Sequence, residues 1–170
     1  RLKEALRYTK IDSVNLDSFT VASDGSVQSS ESKSSFVSFA HNSGVTVYAT
    51  VANVNSNGDF DRDLLSVTFS SSQNISAHVA NLVKLAIVGN YDGIDIDYES
   101  LLASDREVFS LFIEELAARL HEAGKLLAIA IHAKESEPGD WDGAMAEDWA
   151  RLGAAADEFR IMTYDYSGPW

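Results

Sequence analysis

Residues 91–99 of the chain read Tyr-Asp-Gly-Ile-Asp-Ile-Asp-Tyr-Glu, a short run in which acidic and apolar side chains alternate. A period of two is typical of a β-strand, because successive side chains of a strand point to opposite faces of the sheet. The pattern predicts that three acids share one face, namely Asp95, Asp97 and Glu99. The apolar side chains between them point the other way, toward covering helices.

This row of acids needs an explanation beyond stability. A strand in a parallel sheet is normally buried and apolar on both faces. Same-face neighbours lie roughly 6.6 Å apart along a strand, and we expect carboxyls at that spacing to share a proton. Two kinds of site fit the row: a proton-transfer site, or a site in which the acids hold magnesium or manganese for phosphoryl or glycosyl transfer. The chain has no phosphate-cradling Walker loop and its 4 histidines form no ligand-like pair, which weighs against the metal.

The rest of the chain alternates between strand and helix patterns. Runs rich in β-branched residues predict strands over 11–16, 45–54, 91–98, 126–132 and 158–164. Helical periodicity predicts helices over 30–42, 73–88, 104–124 and 144–156, and a polar loop covers 23–35. A capping box of Ser104 and Glu107 marks the start of the third helix. The alternation predicts an α/β fold with parallel strands, and 170 residues leave room for five of the eight strands of a barrel that typically needs ~250.

The composition excludes several classes of protein. The chain has 26 acidic and 13 basic residues, a formal charge of −13, and no cysteine. Nucleic acid and anionic lipid repel a net anion, so neither nucleic acid nor a membrane is an expected partner. No apolar run reaches the ~18 residues that a membrane span needs. Without cysteine there is no disulfide, no thiolate zinc site and no thiol nucleophile.

Two motifs resemble those of one enzyme family. Residues 92–99 fit, at every fixed position, the DGxDxDxE signature of glycoside hydrolase family 18, the chitinase-like family. Residues 162–165, Met-Thr-Tyr-Asp, resemble the family's M-x-Y-D motif at the end of the sixth barrel strand. The resemblance implies a partial (β/α)8 TIM barrel containing strands two to six. Residues 1–170 are then expected to form a single incomplete catalytic barrel domain that lacks the N-terminal and C-terminal βα units.

The resemblance also implies a mechanism that needs no cofactor and no metal. The family is known for retaining hydrolysis of β-1,4-linked N-acetylglucosamine polymers, in which the substrate's own acetamido group replaces an enzyme nucleophile. Glu99 would protonate the leaving glycosidic oxygen. Asp97 would orient the acetamido group and stabilise the positive charge of the cyclised intermediate, and Asp95 would modulate the charge on Asp97.

Four residues are implied as substrate-binding or supporting residues. Tyr164 would hold the acetamido carbonyl, Asp165 would contact the same sugar, and Met162 would line the pocket. Thr50 stands where many members carry a serine, and would donate a hydroxyl to Asp95. The glycines that follow that serine in the family are replaced here, which makes the chain look more like bacterial spore-cortex and cell-wall N-acetylglucosaminidases. The polysaccharide substrate is therefore expected to be chitin or peptidoglycan, and an extracellular or cell-wall location follows from a polymeric substrate.

Other interpretations of the sequence stay open. The scaffold also fits a non-catalytic lectin that binds chitin or peptidoglycan, although such binders commonly lack the acid at Glu99. A metal-dependent transferase using the acid row is a third candidate. Trp141 fits a sugar-stacking residue and a loop anchor equally well. Exposed sheet edges in an incomplete barrel predict that the 170-residue chain alone is aggregation-prone or inactive. The pattern does not fix the oligomeric state.

Overall fold

The computed structural model describes residues 2–29 and 34–164, which fold as one sheet covered by helices. The strands are β1 Ser13–Val21, β2 Val27–Ser29, β3 Thr46–Ala52, β4 Gly93–Asp97, β5 Leu126–His132 and β6 Glu158–Met162. The α-helices are α1 Leu2–Ala5, α2 Ser34–Asn42, α3 Ser72–Val88, α4 Arg106–Glu122, α5 Asp142–Ala146 and α6 Trp149–Ala155. Short 3-10 helices occupy Arg62–Leu65, Thr68–Ser70 and Ala103–Asp105.

The sheet has the order β2-β1-β3-β4-β5-β6. All neighbouring pairs are parallel except β1 and β2, which pair antiparallel as a hairpin. The parallel pairs agree with the prediction, because strands joined through helices run in the same direction. These observations confirm the predicted α/β class.

The apolar side of the acid row lies in the core. Ile94 and Ile96 are fully buried, and Tyr98 is 3% exposed within the same core cluster. The Tyr98 ring stacks on Phe112 of α4 with ring centroids 5.8 Å apart, and its hydroxyl donates to Nε2 of His78 of α3 at 2.7 Å. The predicted alternation of β4 therefore holds, and it fixes which face of the strand is left for chemistry.

The prediction of a polar loop over residues 23–35 is wrong in part. β1 extends to Val21, and a turn at Gly25, with φ 78°, leads into β2, the short edge strand of the sheet. The Gly25 carbonyl accepts hydrogen bonds from His78 Nδ1 at 2.7 Å and from Asn81 Nδ2 at 3.1 Å, so α3 holds the hairpin turn in place. A polar edge strand carries no apolar period, which explains why the pattern missed it.

Two helix predictions also need correction. The third predicted helix does not start with a capping box of Ser104 and Glu107: residues 103–105 form a 3-10 turn, α4 begins at Arg106, and the Asp105 carboxylate accepts the N–H of Leu102 at 3.0 Å. The predicted helix over 144–156 is split into α5 and α6 by residues 147 and 148. Asp148 caps α6 by accepting the Arg151 N–H at 3.1 Å, so a new helix starts there.

Within residues 2–29 and 34–164, no helix combines the length and the apolar character that crossing a bilayer requires.

Candidate active site

Asp95 lies at the centre of the sheet's polar face and is 3% exposed. Thr50 Oγ1 donates to its Oδ2 at 2.8 Å, and the Asn15 side-chain amide donates to the same oxygen. The expected contact between Thr50 and Asp95 is thus present. Arg160 of β6 adds a guanidinium nitrogen 3.4 Å from Oδ2, a positive charge that the sequence pattern did not reveal. The guanidinium of Arg160 therefore faces the Asp95 carboxyl across the sheet.

A layer of side chains below Asp95 explains the glycine of the acid signature. The ring of Tyr48 is fully buried, and a Cβ at Gly93 would lie 2.5 Å from Tyr48 Cε1. Tyr48 donates its hydroxyl to Glu158 at 2.7 Å, and the Arg160 guanidinium stacks 4.6 Å from the ring centroid. Burial, together with the hydrogen bond to Glu158, raises the pKa of Tyr48. Any side chain at position 93 would displace this layer.

Glu99 lies just beyond the end of β4, which stops at Asp97 and not at residue 98 as predicted. The side chain of Asn53, itself fully buried, bonds to the main chain of Glu99 on both sides: Nδ2 donates to the carbonyl at 2.9 Å, and Oδ1 accepts the N–H at 2.9 Å. Asn53 also donates to the Asp61 carbonyl at 3.1 Å. Asp97 is half-buried and lies opposite Ala52 in the sheet register. The acid row therefore continues past the strand because Asn53 holds it.

His132, the last residue of β5, lies between two carboxylates. Its Nδ1 is 2.8 Å from Oε1 of Glu147, and its Nε2 is 3.9 Å from Oε2 of Glu99. Burial alone would lower the pKa of His132, but the hydrogen bond to Glu147 and the proximity of Glu99 outweigh it and raise the pKa to about 9. The ring is therefore an imidazolium at neutral pH.

Lys134 fixes the segment that follows β5. Its side chain is only 2% exposed, and its ammonium donates to the carbonyls of Ala144, at 3.1 Å, and Glu147. The same nitrogen lies 3.0 Å from Glu137 Oε1 and 5.2 Å from the centroid of the Trp149 ring. One buried cation thus ties both ends of the loop to the helices after it.

A cleft of about 740 Å³ opens beside this segment. Its lining residues come from the end of β5, the following loop and β6: His132, Ala133, Lys134, Glu135, Ser136, Gly139, Asp140, Trp141, Met162 and Tyr164. Met162 and Tyr164, two of the predicted substrate-binding residues, thus share one cleft. Asp165 lies outside the described residues. Trp141 meets the His132 ring edge-on, with centroids 4.5 Å apart, and keeps about half of its surface exposed.

The metal alternative finds little geometric support. In the described part of the chain, no three His, Asp or Glu side chains are gathered in a way that suits a metal ion. Asp95 instead receives a threonine hydroxyl, an amide and a guanidinium, which are hydrogen-bond and charge partners. That the expected reaction needs neither a metal nor a cofactor stays a prediction to be tested by experiment.

Comparison with known proteins adds the family. The sequence profile described as glycosyl hydrolases family 18 matches residues 3–170. The chain belongs to glycosyl hydrolase family 18. The two motifs that carried the resemblance thus led to the right family.

Individual known proteins also match the chain over most of its length. The glycosylase YvbX of Bacillus subtilis is 27% identical over 164 residues, which are 96% of this chain and 47% of YvbX. The cortical fragment-lytic enzyme of Bacillus anthracis is 25% identical over 149 residues, which are 88% of this chain and 34% of that enzyme. The structure of a chitinase from Chromobacterium violaceum has a TM-score of 0.88 at 30% identity, over 99% of this chain and 52% of the chitinase. The chain therefore spans between about a third and about half of the length of these relatives, and the likeness confirms the predicted partial barrel.

Besides Arg160, sequence reasoning missed residues around Glu99, among them His132, Asn53 and Glu147. His132 was considered only as a metal ligand, although its place at the carboxyl end of a parallel strand, where barrel enzymes gather their catalytic groups, was a usable signal. Asn53 stands where the family carries one of the two glycines after the serine, and the replacement alone does not indicate a role. Glu147 carried no signal, because its side chain turns inward only where α5 ends.

Proposed function

We propose that the protein hydrolyses β-1,4-linked N-acetylglucosamine polymers of the chitin or peptidoglycan type, with retention of configuration and with assistance from the substrate. The observation that carries the proposal is the position of Glu99. Its main chain is held by Asn53 at the end of β4, and its carboxyl faces His132, which lines the open cleft. Membership of family 18 supports a glycosidic bond as the target.

In the proposed reaction Glu99 gives its proton to the leaving glycosidic oxygen, while the sugar's acetamido oxygen attacks the anomeric carbon. Asp97, the preceding acid on the same face, orients the acetamido nitrogen and balances the positive charge of the cyclised intermediate. Water then attacks this intermediate, with Glu99 accepting the proton. Asp95 modulates the charge near Asp97. Asp95 accepts a hydrogen bond from Thr50 and pairs with Arg160, and these contacts favour a supporting role for it below the reacting sugar.

The cleft supplies the proposed contacts to the sugar. Tyr164 is 65% exposed and lines the cleft together with Met162, so a ligand that enters the cleft meets its side chain. We propose that Tyr164 holds the acetamido carbonyl, that Asp165 contacts the same sugar and that Met162 shapes the pocket. Residues 1–170 would then belong to one catalytic barrel domain.

The names of two relatives support the substrate class. One is a cortical fragment-lytic enzyme and another is a chitinase, so peptidoglycan and chitin are both represented among similar proteins. Both polymers lie outside the cell or in its wall. We therefore propose an extracellular or cell-wall site of action.

The test is hydrolysis of N-acetylglucosamine oligomers and of peptidoglycan fragments by the full-length protein and by its Glu99→Gln variant. Glu99→Gln is expected to abolish turnover without unfolding the protein, because the amide keeps the shape but has no acid proton. Glu122→Gln makes the same change on an exposed side chain of α4 and is expected to behave as wild type. Nuclear magnetic resonance of the first product formed should show the β-anomer.

Three results separate the alternatives. Normal turnover by Glu99→Gln overturns the assignment of the acid. Tight binding of oligomers without any turnover by the wild-type protein favours a lectin. Loss of activity in EDTA, restored by magnesium or manganese, favours the metal-dependent transferase, whereas inhibition by a thiazoline mimic of the cyclised intermediate supports the proposal.

A further inference from the structure

The surroundings of His132 are more specific than a structural histidine needs. The side chain is 14% exposed, the Trp141 ring covers one side, and Glu147 binds Nδ1. The remaining ring nitrogen, Nε2, faces Glu99 at 3.9 Å. The histidine therefore connects a buried carboxylate to the acid of the proposed reaction.

Glu147 is built into the fold to hold this histidine. Its side chain is 3% exposed, and its two oxygens accept the main-chain N–H of His132 at 3.1 and 3.0 Å in addition to the ring contact. Its own carbonyl accepts hydrogen bonds from Lys134 and from Arg106, at 3.0 Å to Arg106. The break between α5 and α6 thus fixes Glu147, and Glu147 fixes both the backbone and the ring of His132.

Acidic groups outweigh basic ones around the ring. Glu99 faces it from the end of β4 and Glu147 from the junction of α5 and α6, while Lys134 and Arg106 are engaged with main-chain carbonyls. The other charged or titratable residues of the same cleft are Glu135, Asp140 and Tyr164. This arrangement favours the charged imidazolium, in agreement with the raised pKa of His132.

We propose that His132, held by Glu147, is a positioning residue for Glu99: its charged ring fixes the Glu99 carboxyl and stabilises the negative charge that this carboxyl gains on giving up its proton. The inference rests on the proposed function, because it takes Glu99 as the acid. No bond to His132 forms or breaks, and the proton of Glu99 goes to the leaving oxygen. A fixed cation close to a developing charge acts more strongly in a partly buried site than in water.

Kinetics test the positioning role. In the full-length protein, His132→Gln is expected to lower kcat about 10- to 100-fold and to change KM by less than about threefold. A loss in kcat of this size is typical when a residue that supports a reacting group is removed. His121→Gln is the matched control, because His121 also pairs with an acid, Asp157 at 2.9 Å, but on the outer surface. Equal kcat in wild type and His132→Gln, or equal losses in both histidine variants, overturns the proposal.

The pH dependence separates positioning from mere packing. Glu147→Gln keeps the shape of the side chain but removes its charge, so His132 is expected to lose its proton at lower pH and the alkaline side of the kcat profile should move down with it. An unchanged profile in this variant contradicts the proposal. A purely structural defect lowers stability without moving the profile.

Titration of the His132 ring by nuclear magnetic resonance tests the coupling between His132 and Glu99 without an activity assay. The wild-type midpoint is expected near pH 9, and both Glu147→Gln and Glu99→Gln should lower it. A midpoint that Glu99→Gln leaves unchanged overturns the coupling between the two side chains. If the wild-type protein shows no hydrolysis, the proposed function fails, while this titration still decides whether His132 and Glu99 interact.

Discussion

The side-chain amide of Asn53 pairs with the main chain of Glu99 through both of its polar groups, with each hydrogen bond 2.9 Å long. A fully buried residue directly after β3 thereby sets the backbone position of the proposed acid, which lies beyond the end of β4. Strand pairing of β4 ends at Asp97. Beyond that point the Asn53 amide supplies the hydrogen bonds that hold the main chain.

Replacing Asn53 by aspartate should therefore damage both stability and turnover. An aspartate side chain still accepts the Glu99 N–H but cannot donate to the Glu99 carbonyl, and it adds a charge. We expect a loss of about 1–3 kcal/mol in the free energy of unfolding and at least a ~10-fold lower kcat. Urea unfolding and steady-state kinetics measure the two effects. The exposed Asn57→Asp serves as control, and wild-type values for Asn53→Asp would contradict the role given to the amide.

Tyr98→Phe should weaken the packing behind the acid row. The variant keeps the ring stacked on Phe112 but removes the hydroxyl that donates to His78 Nε2, leaving a buried acceptor without its partner. We expect about 1–3 kcal/mol less stability in urea unfolding. Tyr8→Phe removes the same hydroxyl from a side chain that is 83% exposed and should leave stability unchanged. Equal stability of the two variants would show that the contact with His78 contributes nothing.

Lys134→Met should loosen the loop beside the cleft. Methionine fills much of the volume of the lysine stem, but it leaves the Ala144 carbonyl without the donor from Lys134. The Glu147 carbonyl and the Glu137 carboxylate lose Lys134 and keep Arg106. A loss of about 1–3 kcal/mol is expected for leaving a buried carbonyl without its donor. Hydrogen exchange should speed up over residues 135–148. The exposed Lys84→Met is the control, and slow exchange in Lys134→Met would refute the anchoring role.

Stability should depend on pH through His132. Its pKa is about 9 in the folded protein and about 6.5 in an unfolded chain, so the folded state binds the extra proton between these values. The stabilisation is complete below pH 6.5 and is lost as the pH rises through 9, up to about 3 kcal/mol. Urea unfolding of wild type and Glu147→Gln from pH 6 to 10 isolates the effect as a difference. A constant difference across this range would mean that His132 is not held as a cation.

The sequence was sufficient to predict strands and helices where apolar residues recur every two or every 3.6 positions, because that period indicates which side chains are buried. Ile94 and Ile96 are buried behind the acids as the alternation requires, and the five parallel strands follow from strands alternating with helices. The DGxDxDxE and M-x-Y-D motifs were sufficient to identify the family. Local patterns of this kind depend only on neighbours along the chain.

The sequence was insufficient where distant residues decide the structure. The helix predicted over 144–156 breaks at Glu147, whose carboxylate bonds to His132 at the end of β5, and no periodicity within the helix indicates such a contact. The same holds for Arg160, whose charge meets Asp95 only once β4 and β6 lie in one sheet. The roles of Glu99, Asp97 and Tyr164 in hydrolysis remain predictions for the experiments above.

The anchoring of the segment after β5 has an evolutionary consequence. Lys134 anchors the start of this segment to the helices that follow it, and Glu147 holds the neighbouring His132. Residues 135–140 lie farther out along the cleft wall. Insertions, deletions or substitutions in that outer portion can therefore accumulate in different lineages without moving Glu99, the proposed proton donor. Under the proposed function, selection for a different polysaccharide would act on this outer part of the cleft wall and leave the residues around Glu99 unchanged.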